Sequence, residues 1–165
     1  MTVLAADPGK SGALAWVSDG GDLIEVEDIP VIDVRGKNKV SAAGLKLLMQ
    51  RRAVDMVVIE GVSAMPRHKP DGSEVRMGAT SAMGCGYGAG LIAGGATGLG
   101  LPIEILSPNV WKRRAQVPKD KGAVRLMAQR LWPESAKLFA RKRDDGRADS
   151  ALLARWYAIS RDSAG

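Results

Sequence analysis

From Met77 to Ile103 the chain runs for 27 residues without a charged side chain. A stretch of that length either crosses a bilayer or packs against the rest of a folded domain. Glycine dominates it and strong hydrophobes are few, which is poor material for a membrane span. Gly86, Gly90, Gly94 and Gly98 recur every four residues, on one side of a helix. Small residues at this spacing let a second backbone approach closely. The stretch is therefore expected to be a helix pressed onto its own sheet or onto a partner, with no membrane association. Each helical glycine costs about 1 kcal/mol relative to alanine, so such a helix needs tertiary support to exist.

The segments around it read as short strands and helices. Thr2 to Ala6 is an apolar run closed by Asp7-Pro8-Gly9, a buried strand and a turn. Gly12 to Val17 is a second strand. Ser18 to Asp22 is a hairpin turn, and the alternating Leu23 to Ile29 is a half-exposed third strand. Helical spacing in Leu45, Leu48 and Met49 follows Ser41, a candidate N-cap. Asp55 to Gly61 is the clearest core strand. Val62 to Val75, with Pro66, Pro70 and Asp71-Gly72, reads as a mobile surface loop. Pro102 to Leu106 is a further strand. Ser107-Pro108 opens a helical turn, Asp120 caps a helix running to Leu131, and a last helix starts near Gly146. A strand meander followed by alternating strands and helices describes an α/β fold built on one mixed sheet flanked by helices. With 165 residues, one domain over the whole chain is expected. No basic region precedes Val3-Leu4-Ala5-Ala6 and Asp7 ends that run, so no signal peptide is expected.

Rare residues narrow the chemistry. One histidine, His68, and one cysteine, Cys85, exclude a structural zinc site and a disulfide framework. The latter suits a reducing cytoplasm. Any Ser-His-Asp scheme would rest on His68 alone. With aromatic residues at 4%, a base-stacking platform is not expected. The plentiful reactive groups are carboxylates and lysines, which suit Mg²⁺ chemistry or no catalysis. The net charge is +6. Pro108 to Arg147 holds twelve Lys/Arg and four Asp/Glu, a balance of +8, and the remainder of the chain is at −2. Lys112-Arg113-Arg114 and Arg141-Lys142-Arg143 fall at expected loops or helix ends, where phosphates are readily contacted. They could equally be solvated helix faces.

Four carboxylates stand at positions suited to chemistry. Asp7 and Glu60 each end an apolar strand beside a glycine turn, the place where open α/β sheets bind ligands. Asp145 and Asp149 lie four apart at the start of the last helix. Taken singly, Asp7 also reads as a turn residue, and Asp149 as an acid favoured by the helix dipole, with Asp144 or Asp145 as the cap. Taken together, the four acids could surround two divalent cations that serve the attacking and leaving oxygens of phosphodiester hydrolysis. Lys121 or Lys112 could then stabilise the developing charge.

Val3-Leu4-Ala5-Ala6-Asp7-Pro8-Gly9-Lys10-Ser11-Gly12 is similar to the opening of RuvC-type Holliday junction resolvases. Val57-Val58-Ile59-Glu60, Gly84 to Gly90, Ser107 to Lys112, Asp120 to Val124 and Arg147 to Ala154 resemble later segments of that family, in family order. The resemblance implies a compact, phage-like version of the family. It implies a ribonuclease-H-like mixed five-stranded sheet flanked by helices on both faces. It also implies a homodimer and Mg²⁺-dependent (or Mn²⁺-dependent) nicking of opposed strands of four-way or branched DNA in the cytoplasm. Asp7, Glu60, Asp145 and Asp149 would be the metal ligands, and Lys121 would stand near the scissile phosphate. Lys112, Arg113, Arg114, Lys119, Lys121, Arg141, Lys142 and Arg143 would bind DNA. Family members often carry an acid or His three residues before the last aspartate. Here that position is Gly146, so the role shifts to Asp145. Two other readings stand beside this one. The first is a non-catalytic DNA-binding relative. The second is an actin-like ATPase or kinase, suggested by Asp7-Pro8-Gly9-Lys10-Ser11-Gly12, although no second phosphate loop is present.

Overall fold

The computed structural model describes residues 1–62, 67–68, 71, 74–75 and 78–162. Five strands form the main sheet: β1 (Thr2–Ala6), β2 (Ala13–Ser18), β3 (Leu23–Asp28), and later β6 (Met56–Glu60) and β9 (Ile103–Leu106), in the order β3-β2-β1-β6-β9. The first three are an antiparallel meander, while β6 and β9 join parallel to β1. Between β3 and β6 lie a separate hairpin, β4 (Val31–Val34) and β5 (Lys37–Val40), and helix α1 (Ala42–Gln50). After β6 come two-residue strands β7 (Arg67–His68) and β8 (Glu74–Val75), then the long helix α2 (Ala79–Gly98). Beyond β9 follow α3 (Pro108–Arg114), α4 (Lys121–Leu131), 3₁₀ turns at Pro133–Phe139 and Lys142–Asp144, and α5 (Asp145–Asp162). Most of the segment read as a surface loop from Val62 to Val75 lies outside the described residues.

Strand alternation builds two cores. Val3 and Ala5 of β1 face a cluster with Trp111, Phe139, Leu153 and Ala158, which belong to α3, the first 3₁₀ turn and α5. Leu4 and Ala6 face the other way, onto Leu45, Met49 and Ile92 of α1 and α2. Helices therefore cover both faces, and the fold is the ribonuclease-H-like mixed five-stranded sheet that the sequence suggests. Local signals explain the helix starts. Ser41 Oγ accepts the Gly44 N–H at 3.1 Å and Asp120 Oδ1 accepts the Ala123 N–H at 2.8 Å, each satisfying a donor at a helix start. No helix among the described residues is long and apolar enough to cross a membrane.

The glycine-rich helix forms, and of the two packings expected for its stripe the structure removes the first. Outside its own helix, a Cβ built at Gly86, Gly90, Gly94 or Gly98 would meet nothing within 4 Å among the described residues, so the stripe is not pressed onto the protein's own sheet. The closely packed glycine is Gly88, where a Cβ would lie 2.1 Å from the Pro8 carbonyl oxygen. This contact sets α2 against the turn that follows Asp7.

Candidate active site

Parallel pairing places Ala6 of β1 beside Ile59 of β6, so Asp7 and Glu60, each one residue further on, leave the sheet side by side. The third acid, Asp149, comes from α5, which packs on one face of the sheet. Ser150 of α5 is fully buried, and its hydroxyl accepts the Asp7 N–H at 3.1 Å. Its proton is shared between the carbonyls of Ala13 at 2.8 Å and Gly146 at 2.9 Å. One side chain thus pins the start of α5 to the ends of β1 and β2, and Asp149 is brought to the other two acids. Ser150 escaped the sequence reading because a serine inside a helix carries no local signal of such a role.

Two of the three carboxylates, Glu60 and Asp149, hold two ammonium groups. Lys112 Nζ lies 3.1 Å from Glu60 Oε1 and 2.9 Å from Asp149 Oδ1, bridging them. Lys121 Nζ lies 2.5 Å from Asp149 Oδ2. Trp111, buried in the core, donates its indole N–H to Glu60 Oε1 at 3.0 Å and so orients that carboxylate. Burial raises the Asp7 carboxyl from 3.8 to about 6, and the charges of Glu60 and Asp149 push the same way, against a Gly9 N–H and Lys121 that lower it. Burial works against the Lys112 ammonium, but Glu60 and Asp149 outweigh it and hold its proton above the ordinary lysine range.

The other expected residues fall around this centre. Asp145 forms an ion pair with Arg125 of α4, and the carboxylates that act on Asp7 are Glu60 and Asp149. Asp144 is 1% exposed and accepts from the backbone and guanidinium of Arg141, which closes the 3₁₀ turn ahead of α5. Arg113, Arg114, Lys119, Lys142 and Arg143 are exposed, and Arg141 is half-exposed beside Asp144. Gly146, three residues before Asp149, has no room for a side chain: a Cβ there would lie 2.7 Å from Gly12 Cα.

The donor set suits a hard divalent cation, because it offers only carboxylate oxygens at its centre. Lys112 already places positive charge between Glu60 and Asp149, which marks a point where the two acids accept a shared cation. As they lie, no three acidic, His or Cys side chains among the described residues form a ready metal cage. Binding would therefore require the carboxylates to exchange ammonium partners.

The two lysines should separate by experiment. Lys121 is 54% exposed while its amine touches a carboxylate that is 3% exposed, so it can turn towards a bound phosphate. For a site that cleaves a phosphodiester, losing such an ammonium through Lys121→Ala is expected to lower the single-turnover rate by roughly 100-fold with little change in substrate affinity. A near-wild-type rate with weaker binding would make it a phosphate-positioning contact only.

Comparisons with protein-family models and with curated proteins find no match. Solved structures do match. The chain is similar to T. thermophilus RuvC in complex with Holliday junction substrate, with a TM-score of 0.68, 19% identity, and coverage of 99% of this chain and 96% of that one. A second Thermus thermophilus RuvC structure gives a TM-score of 0.64 at 19% identity, covering 99% of this chain and 97% of that one. The chain has the RuvC-type fold.

Proposed function

We propose that this protein is a divalent-cation-dependent endonuclease that nicks branched DNA, four-way junctions foremost, in opposed strands. The observation that carries the reading is the convergence of Asp7, Glu60 and Asp149 from two strand ends and one helix, with Lys112 and Lys121 against them. The RuvC-type fold supports it, since a similar chain was solved in complex with a Holliday junction substrate. Asp7, Glu60 and Asp149 would hold the cations, Mg²⁺ or Mn²⁺, and Asp145 would join them only by giving up Arg125. When bound, such cations supply Lewis-acid stabilisation of the phosphate oxygens and an activated water. The chain's own residues do the positioning. Trp111 fixes Glu60, and Ser150 fixes the Asp7 backbone against α5. Lys112 and Lys121, freed from the acids, would meet the phosphate charge. Arg113, Arg114, Lys119, Arg141, Lys142 and Arg143 would position the backbone of the DNA arms.

Incubating one preparation with a four-way junction, a Y-fork, a flap and a plain duplex in Mg²⁺ tests the substrate. Preferential nicking of the junction is expected, while equal nicking of the duplex would exclude structure selectivity.

Symmetric cutting calls for a homodimer, and the open stripe Gly86, Gly90, Gly94, Gly98 is the face proposed for it. Gly90 offers a clean test, because a Cβ there meets nothing within 4 Å among the described residues outside its own helix. Sedimentation should show a dimer for the wild type at micromolar concentration and a monomer for Gly90→Leu. Helix content should be unchanged in the variant. An active monomeric wild type would remove the claim.

A further inference from the structure

The hairpin β4–β5 contributes little to either core. Val31 is 41% and Ile32 51% exposed, and only Val40 at its base is buried. Its two-residue turn is Arg35-Gly36, with φ of 54° and 74°, the left-handed pair of a tight hairpin. Asp33 is spent on that turn, accepting the Gly36 N–H at 3.1 Å. Isolated two-stranded hairpins are marginal in water, so this one persists as a projecting arm on a buried base. Pairing places Lys37 opposite Val34 and Lys39 opposite Ile32, so both lysines stand on one face.

Between this arm and the first half of α2 lies a groove of about 830 Å³. Its third wall is the turn Gly9-Lys10-Ser11, which begins two residues after Asp7. Lys10, Lys37 and Lys39 line it together with Ser11, Thr80 and Ser81 and with the exposed Met83 and Tyr87, and no carboxylate does so among the described residues. None of the three lysines has an ion-pair partner among the described residues, in contrast to Lys112 and Lys121. Unneutralised cations and hydroxyl donors along a groove recognise a phosphodiester backbone. The volume is that of a site enclosing a few hundred daltons, which suits a short single strand and not a duplex.

We propose that this groove holds a single-stranded stretch of the nucleic acid substrate where it leaves the carboxylate centre, with Lys10, Lys37 and Lys39 on its phosphates. The proposal adds a contact surface outside the basic C-terminal half, and it rests on the nuclease reading for what lies at the groove's end. Its own test does not need cleavage. Fluorescence anisotropy would follow binding of the full chain to a labelled oligothymidylate across a salt series. For the double variant Lys37→Gln/Lys39→Gln, affinity should fall roughly tenfold and the log–log salt slope should flatten by about 1.4 units, some 0.7 for each phosphate no longer neutralised. Lys46→Gln, exposed on α1 away from the groove, should bind as wild type does. An unchanged slope and affinity in the double variant would overturn the groove, even if the wild type cuts junctions. Loss of single-strand binding in the double variant would uphold it, even if the wild type cuts nothing.

Discussion

Asp7→Asn is expected to be more stable than the wild type in metal-free buffer above pH 6. Burial, joined by Glu60 and Asp149, raises the Asp7 carboxyl from 3.8 to about 6, so the folded protein holds this proton more tightly than the unfolded chain. Stability is therefore present at low pH and is lost as pH rises from about 4 through 6. A shift of about two units corresponds to about 3 kcal/mol at neutral pH. Asparagine has the same shape and no charge, so the variant escapes this loss. Its melting temperature at pH 8 in chelator should exceed the wild type's by roughly 6–12 °C. The order should narrow or invert in Mg²⁺ if Asp7 is a cation ligand as proposed, because the asparagine variant would lose that ligand. Melting curves at pH 4, 6 and 8 check this, and equal melting at all three would mean that Asp7 bears no electrostatic strain.

Gly146→Ala is expected to have the opposite effect. The added methyl would lie 2.7 Å from Gly12 Cα and 2.8 Å from the Ser11 carbonyl oxygen, both backbone atoms that cannot swing aside. α5 must then shift, and with it the Ser150 hydroxyl link and Asp149, which is 3% exposed and already contacted by two lysines. Overpacking of this kind costs about 3 kcal/mol, or roughly 6–12 °C in melting temperature. Cleavage should fall by at least about 100-fold, since misplacing a reacting group by an ångström costs that much. Wild-type melting and cleavage would show that the start of α5 is looser than these contacts require.

The strand ends bearing Asp7 and Glu60 were legible because an unbroken apolar run leaves few alternatives to a buried strand, and an acid at its end stands out. The caps at Ser41 and Asp120 were legible for the same local reason, a polar residue before a periodic run. The hairpin β4–β5 was not, because it buries only Val40 and so carries no alternation to read. Spacing alone does not decide what the stripe of α2 packs against. The regular stripe is solvent-facing, while the glycine that matters for packing is Gly88, chosen by the approach of Pro8 from a distant part of the chain. Ser150 and Trp111 act through long-range hydrogen bonds to Asp7 and Glu60, and such partners have no sequence spacing to betray them. The pairing of Asp145 with Arg125 is likewise a tertiary fact, set by how α4 crosses the start of α5.

The most direct test of the carboxylate centre is single-turnover cleavage of a labelled four-way junction at saturating protein and pH 8. Wild type would be compared with Asp7→Asn, Glu60→Gln and Asp149→Asn, each with Mg²⁺ and with chelator. Cleavage should occur only for wild type with Mg²⁺, while each variant still shifts the junction in a binding assay, because affinity comes chiefly from the basic surface. Normal Mg²⁺-dependent cleavage by Asp7→Asn would contradict the assignment of this site as the catalytic centre.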